Sequence, residues 1–186
     1  MEIIVLNREQ VRELYHVQMK RDFNSQELKP LELILNNIDR GEYIVYGLIE
    51  RDCCIAYAAF RMEPESTWTL LDYFAVSPQL RGTGIGSRFF RTLMEDNPAY
   101  VLIEAEAPQC AEDDADRIMR NRRIAFYERC GCVRTGVTAN VFGVTYDVLC
   151  YTDAAQPTRS TVRVKLLSIY HHMLPETLYG QVKLLT

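Results

Sequence analysis

Residues 76–90, VSPQLRGTGIGSRFF, place three glycines in five positions, Gly82, Gly84 and Gly86, directly before a helix-like pattern. Without a Cβ, glycine lets backbone approach a ligand closely or take a positive φ. A helix beginning just after the glycines leaves its first amide N–H groups unpaired. It also turns the positive end of its dipole to the same point. Such an arrangement, with Arg81 in front, suits an anion, most often a phosphate or pyrophosphate. A plain glycine-rich turn between strand and helix is the alternative. Two carboxylates raise a second question. Asp72 lies within TWTLLDYFAV and Glu104 within AYVLIEAEA, and a carboxylate inside an apolar strand is costly unless paired, hydrated or used. Alternation puts Asp72 on the face of Leu70 and Val76, and Glu106 on the face of Glu104. The structural alternative for these acids is an ion pair with an arginine such as Arg122 or Arg123.

Other chemistries find less support. The spacing G-x-G-x-G is neither the dinucleotide-binding G-x-G-x-x-G nor a phosphate loop ending in G-K-[ST]. Six cysteines, Cys53, Cys54, Cys110, Cys130, Cys132 and Cys150, form no C-x-x-C pair, and His16, His171 and His172 are not at zinc-ligand spacing from them. They read as small buried hydrophobes in a reducing cytosol, with no metal site. A net charge of −4 argues against nucleic acid as partner. No apolar run approaches the ~20 residues of a membrane span. The start, MEIIVLNREQ, lacks a signal-peptide pattern, so the expected location is the cytoplasm. Nothing in the sequence distinguishes a monomer from a homodimer.

The elements that must position these residues follow from pattern. Glu2–Leu6 reads as a strand. Asn7 with Gln10 forms a capping box for a helix with the stripe Val11, Leu14, Tyr15 and Met19. A second helix opens near Pro30, buries Leu31, Ile34, Leu35 and Ile38, and stops at Gly41. EYIVYGLIE, CCIAYAAFRM and TWTLLDYFAV are strands joined by turns short enough for antiparallel hairpins. After the glycines a helix buries Phe89, Phe90 and Leu93 and is stopped by Pro98. Then come the strand AYVLIEAEA, a loop, a helix over Arg117–Cys130 ended by Gly131, and the strands CVRTGVTA and VTYDVLCY. The linker QPTRS leads to a helix near Thr161–Met173 and a last strand, QVKLL. With no repeat or internal break, 1–186 reads as a single α+β domain with a mixed sheet. Its core spans about 2–151 and a C-terminal extension about 156–186.

FAVSPQLRGTGIGSRFF, followed some forty residues later by RIAFYERCG, resembles the GNAT superfamily of acetyl-coenzyme A-dependent N-acetyltransferases. Arg81, Gly84 and Gly86 match its Arg/Gln-x-x-Gly-x-Gly/Ala motif, and Val76-Ser77-Pro78 matches the strand exit ahead of it. The resemblance implies the GNAT fold, a mostly antiparallel mixed sheet flanked by helices. It implies that the amides of Gly82, Thr83, Gly84, Ile85, Gly86 and Ser87 hold the pyrophosphate of acetyl-coenzyme A, the co-substrate. The backbone of Phe74, Ala75 and Val76 would pair with the pantetheine arm like an added strand. Two positions depart from the family pattern. Arg120 stands where many relatives place an asparagine, with Asn121 one step off, and Cys132 stands where an aromatic usually follows the glycine.

Acetyl transfer to an amine requires the neutral amine, so a base or water path must take a proton, and an acid can protonate the leaving thiolate. Tyr127 matches the family tyrosine and is the candidate acid, with core packing beside Phe126 as the alternative. Glu104, where several relatives carry a catalytic glutamate, and Asp72 are the candidate bases, with Glu106 a third. Phe23 and Glu27 lie where relatives build the acceptor pocket. The run Glu112, Asp113, Asp114 and Asp116 caps a helix, or forms a negative rim that draws in a cationic amine. The expectation is direct transfer, without metal or covalent intermediate, to the primary amine of a small molecule. The rivals are a protein N-terminus or lysine as acceptor, and a non-catalytic acetyl-coenzyme A-binding module.

Overall fold

The strand patterns converge on one eight-stranded sheet, ordered β1-β2-β3-β4-β5-β7-β6-β8. In the computed structural model, which describes residues 1–25, 27–62, 65–95 and 99–186, these are β1 (Glu2–Val5), β2 (Tyr43–Glu50), β3 (Cys53–Met62), β4 (Trp68–Val76), β5 (Tyr100–Glu106), β6 (Val133–Val141), β7 (Val144–Thr152) and β8 (Val182–Leu184). Every neighbouring pair is antiparallel except β4 and β5. The mixed α+β sheet expected from the sequence is therefore the observed one. Arg51 and Asp52, with φ of 49° and 61°, turn β2 into β3 in the geometry that suits the twist of a hairpin. Glu63 and Pro64 of the expected next turn, and Pro98, the expected helix stop, lie outside the described residues.

One face of the sheet carries α1 (Arg8–Leu14), a π-helical turn (Tyr15–Met19), α2 (Lys20–Asp22), α3 (Leu31–Asp39) and, further along, α6 (Arg159–Met173). The capping box of α1 is present: Asn7 Oδ1 accepts from the Gln10 amide at 3.0 Å, and Gln10 Oε1 accepts from the Asn7 amide at 2.9 Å. Val11, Leu14, Ile34 and Leu35 pack on Val45, Tyr57 and Tyr73, while Val162, Leu166 and Ile169 of α6 pack on Leu70, Leu102 and Val148. The opposite face carries α4 (Ile85–Glu95) and α5 (Asp114–Arg129), whose Phe89, Phe90 and Ile124 cover Leu71, Val101 and Ile103. Helix α5 starts earlier than the expected Arg117. Asp113 of the acidic run caps it, accepting from the Asp116 amide at 2.8 Å. All six cysteines are free, but only Cys130, Cys132 and Cys150 are buried. Cys53 and Cys110 are exposed, against expectation, because one adjoins the β2–β3 turn and the other closes a short 3₁₀ turn after β5.

Two irregularities shape the middle of the sheet. The parallel pair β4–β5 runs from Trp68↔Tyr100 to Leu71↔Ile103, although β4 continues to Val76 and β5 to Glu106. Past that point the strands separate, and Asp72 and Glu104 begin two facing, unpaired edges. In addition, Ala59 pairs with Tyr73 while Phe60 pairs with Leu71, so Asp72 is an extra residue in β4. Such a bulge resets the alternation. Asp72 stays on the face of Leu70, which packs toward α6, whereas Val76 packs with α4 and α5. The expected shared face with Val76 does not occur.

Candidate active site

The glycine turn sits at the mouth of the separation. Gly82 and Gly84 take φ of +80° and +85°, a region that other residues rarely adopt, and a Cβ on either would meet open space. Gly86 is glycine for another reason: its Cβ would lie 3.2 Å from Val76 Cγ2 and 3.5 Å from Phe126. The first amide of α4 to reach a backbone carbonyl is that of Arg88, bonded to Gly84 at 3.1 Å; of the turn ahead of it the Thr83 amide bonds the Leu80 carbonyl at 3.4 Å, and the amides of Gly84, Ile85, Gly86 and Ser87 remain for a ligand. The Thr83 hydroxyl turns back to the Leu80 carbonyl at 2.7 Å, and Ile85 is buried in the core. The largely exposed Arg81 braces the strand exit, donating to the Val76 carbonyl at 3.1 Å.

A groove of about 720 Å³ runs from this turn along Phe74, Ala75 and Val76 and the facing side of α5. It meets a much smaller inner cavity of about 60 Å³, and Phe23, Glu27, Phe74, Arg123 and Tyr127 line both. Tyr127 is buried, packed against Phe74, Phe90 and Phe126, and its hydroxyl has no hydrogen-bond partner among the described residues. Burial pushes its phenol well above the usual value, so it keeps its proton at neutral pH.

Three carboxylates behave differently. Both oxygens of Asp72 are engaged: Oδ1 by Lys29 Nζ at 2.5 Å and Oδ2 by the Tyr43 hydroxyl at 2.5 Å. Its partner is thus a lysine rather than an arginine. Glu106 is held by Arg123 at 2.7 Å and Arg120 at 3.3 Å, and Arg120 also binds Asp116 and the Ala107 carbonyl. Arg120 therefore ties α5 to the end of β5, so the departure from the family asparagine has a structural use. Glu104 lines the inner cavity and accepts from the Tyr170 hydroxyl at 2.6 Å through Oε2. Oε1 is closed to solvent and has no partner among the described residues. Burial pushes this carboxyl up to about 7, partly opposed by the Tyr170 bond and the Lys29 charge.

Phe23 packs edge-on against Tyr73 and Tyr57, and Glu27 accepts from the Tyr146 hydroxyl at 3.4 Å. Burial, and then the Glu106 charge, raise Glu27 above its ordinary range. Thus Tyr127, Glu104, Asp72, Phe23 and Glu27 share the inner cavity, and the glycine turn shares the outer groove with Phe74, Ala75 and Val76. Lys29, Tyr146 and Tyr170 also line the inner cavity. The sequence offers one signal for Tyr170, a tyrosine on the buried side of its helix whose hydroxyl needs a partner.

The family model of the Acetyltransferase (GNAT) family matches residues 8–132. The chain belongs to the GNAT acetyltransferase family. No curated protein matches the sequence. Among solved structures, the chain is similar to a protein from Bacteroides thetaiotaomicron described as a GNAT-family acetyltransferase, at 19% identity, with 94% of this chain and 100% of the other covered and a TM-score of 0.70. It is also similar to the ribosomal-protein-S18-alanine N-acetyltransferase of Escherichia coli (17% identity, 84% and 96% covered, TM-score 0.61). A third similarity is to an aminoglycoside 6'-N-acetyltransferase complexed with coenzyme A (16% identity, 84% and 99% covered, TM-score 0.61). At these identities the likeness is one of fold. This GNAT chain is an enzyme of the acyl-coenzyme A-dependent transferase class. Among its described residues no helix is long and apolar enough to cross a membrane.

Proposed function

We propose that this GNAT protein transfers an acetyl group from acetyl-coenzyme A directly to the primary amine of a small molecule, in the cytoplasm. The observation that carries the reading is the meeting of a long outer groove with a small carboxylate-lined cavity at Tyr127. The chain fits the co-substrate at three points: glycines with positive φ, a helix start with free amides, and an unpaired strand edge over Phe74, Ala75 and Val76. In this reading the amides from Gly82 to Ser87, with Arg81, take the pyrophosphate, and the free edge of β4 takes the arm. When bound, the thioester supplies an activated acetyl group.

Glu104 serves as the base, directly or through water, because its Oε1 is unengaged, whereas both oxygens of Asp72 are occupied. A carboxyl pushed up to about 7 by burial is suited to taking a proton near neutral pH. Tyr127 serves as the acid toward the leaving thiolate, and Phe23 and Glu27 contact the acceptor at the cavity entrance. A small acceptor is favoured over a protein chain by the lining of the inner cavity, where Tyr170 of the C-terminal helix and Val141 and Phe142 of the β6–β7 turn leave only about 60 Å³. The test is an acetylation screen of simple amines, polyamines, amino acids and peptides, read by thiol release. Acetylation of small amines with Glu104→Gln much slower is the expected result. Turnover of peptides alone would replace the acceptor class, and coenzyme A binding without any turnover would favour a binding module.

A further inference from the structure

Helix α6 lies beyond the residues matched by the family model, which end at Cys132, yet it reaches the centre of the site. Tyr170 is 1% exposed and its hydroxyl donates to Glu104 Oε2 at 2.6 Å across 66 residues of sequence. The neighbours Val162, Leu166, Ile169 and Met173 anchor α6 in the core, so the hydroxyl moves only if the helix does. We propose that Tyr170 is the positioning residue for Glu104, holding Oε2 so that Oε1 is the oxygen left to receive the acceptor's proton. The proposal rests on the reading of Glu104 as the base. A hydrogen bond donated to a carboxylate also favours its charged form, so Tyr170 opposes the effect of burial on the same group.

The other titratable groups around Glu104 come from every element that packs there. They are Glu27 and Lys29 ahead of α3, Asp72 and Tyr73 of β4, Arg123 and Tyr127 of α5, and Tyr146 of β7. Lys29 favours the charged form and Asp72 opposes it. None of these groups has a hydrogen bond to Glu104 among the described residues; Tyr170 does, and its bond lowers the proton affinity of the carboxyl.

The variant Tyr170→Phe keeps the ring and removes the bond. The Glu104 carboxyl is followed in the ligand-free protein by isotope-edited infrared titration, with Glu104→Gln identifying the signal. The expected result is a midpoint higher by about one pH unit, with the acid-side limb of kcat/KM displaced in the same direction. Adding Tyr170→Phe to Glu104→Gln should cost little further activity, because the tyrosine acts through the carboxylate. A fluorotyrosine placed at position 170 preserves the shape and is a stronger donor, so it should lower the midpoint. Should Tyr170→Phe fold poorly, that substitution carries the test. A folded Tyr170→Phe with midpoint and limb unmoved, or a fluorotyrosine without effect, overturns the proposal. A midpoint that moves while Glu104→Gln leaves turnover intact upholds the positioning and removes the base role instead.

Discussion

At the scale of single residues, Glu104 is costly to the fold in a way that can be measured. Its carboxyl rises from an ordinary 4.5 to about 7, so the folded state holds the proton more tightly than the unfolded one. The resulting penalty is absent below pH 4.5, grows as pH rises between these values and is complete above about 7. Glu104→Gln should therefore stabilise the protein in mildly alkaline buffer by on the order of 3 kcal/mol and by far less near pH 4.5, while lowering kcat/KM and flattening its acid-side limb. Thermal melts at both pH values and a pH–rate profile check the two halves. Asp72→Asn should do the reverse. It breaks a buried ion pair and is expected to cost about 3–5 kcal/mol of stability; the acid-side limb should keep its shape and move to lower pH, because the Asp72 charge opposes the ionised form of Glu104. Tyr127→Phe should keep coenzyme A affinity and lower kcat by ~10²–10⁴-fold, with a thiol-release assay as the check.

At the scale of elements, the glycine turn and the bulge divide what pattern reveals from what it hides. The turn was legible because glycine spacing, a strand exit and an amphipathic helix are all local. Its chemistry can be tested by Gly84→Asp, which adds a charge where a side chain meets open space, with Gly84→Ala as the control for the strain of a side chain at a φ of +85°. Calorimetry should show coenzyme A affinity lost in a folded protein. Gly86→Val is different: it pushes α4 away from Val76 and should lower stability first. The capping box, the succession of elements along the chain and both carboxylates in apolar strands were equally legible. The bulge was not, because an extra residue in one strand is defined by the partner strand, so the face of Asp72 could not be read from alternation. Lys29, Tyr146 and Tyr170 were hidden for a related reason, since each meets its carboxylate across a large gap in sequence.

At the scale of the whole molecule, the proposed acceptor class rests on how the C-terminal helix and the β6–β7 turn close the inner cavity. Replacing Tyr170 or Phe142 with alanine should admit bulkier amines, raising their kcat/KM relative to compact ones in a competition assay. The partial pairing of β4 with β5 has a further consequence. Four residue pairs, Trp68–Leu71 with Tyr100–Ile103, join the half-sheet β1–β4 to the half-sheet β5–β8. Beyond them the halves are tied by side chains of the flanking helices rather than by a ladder. Each half can then open as its own unit in hydrogen exchange. Along 72–76, the amides that point toward β5 rather than into the ladder with β3 should exchange fast in the free protein and slowly with coenzyme A bound, because a ligand laid on that edge supplies the missing strand and makes the sheet continuous.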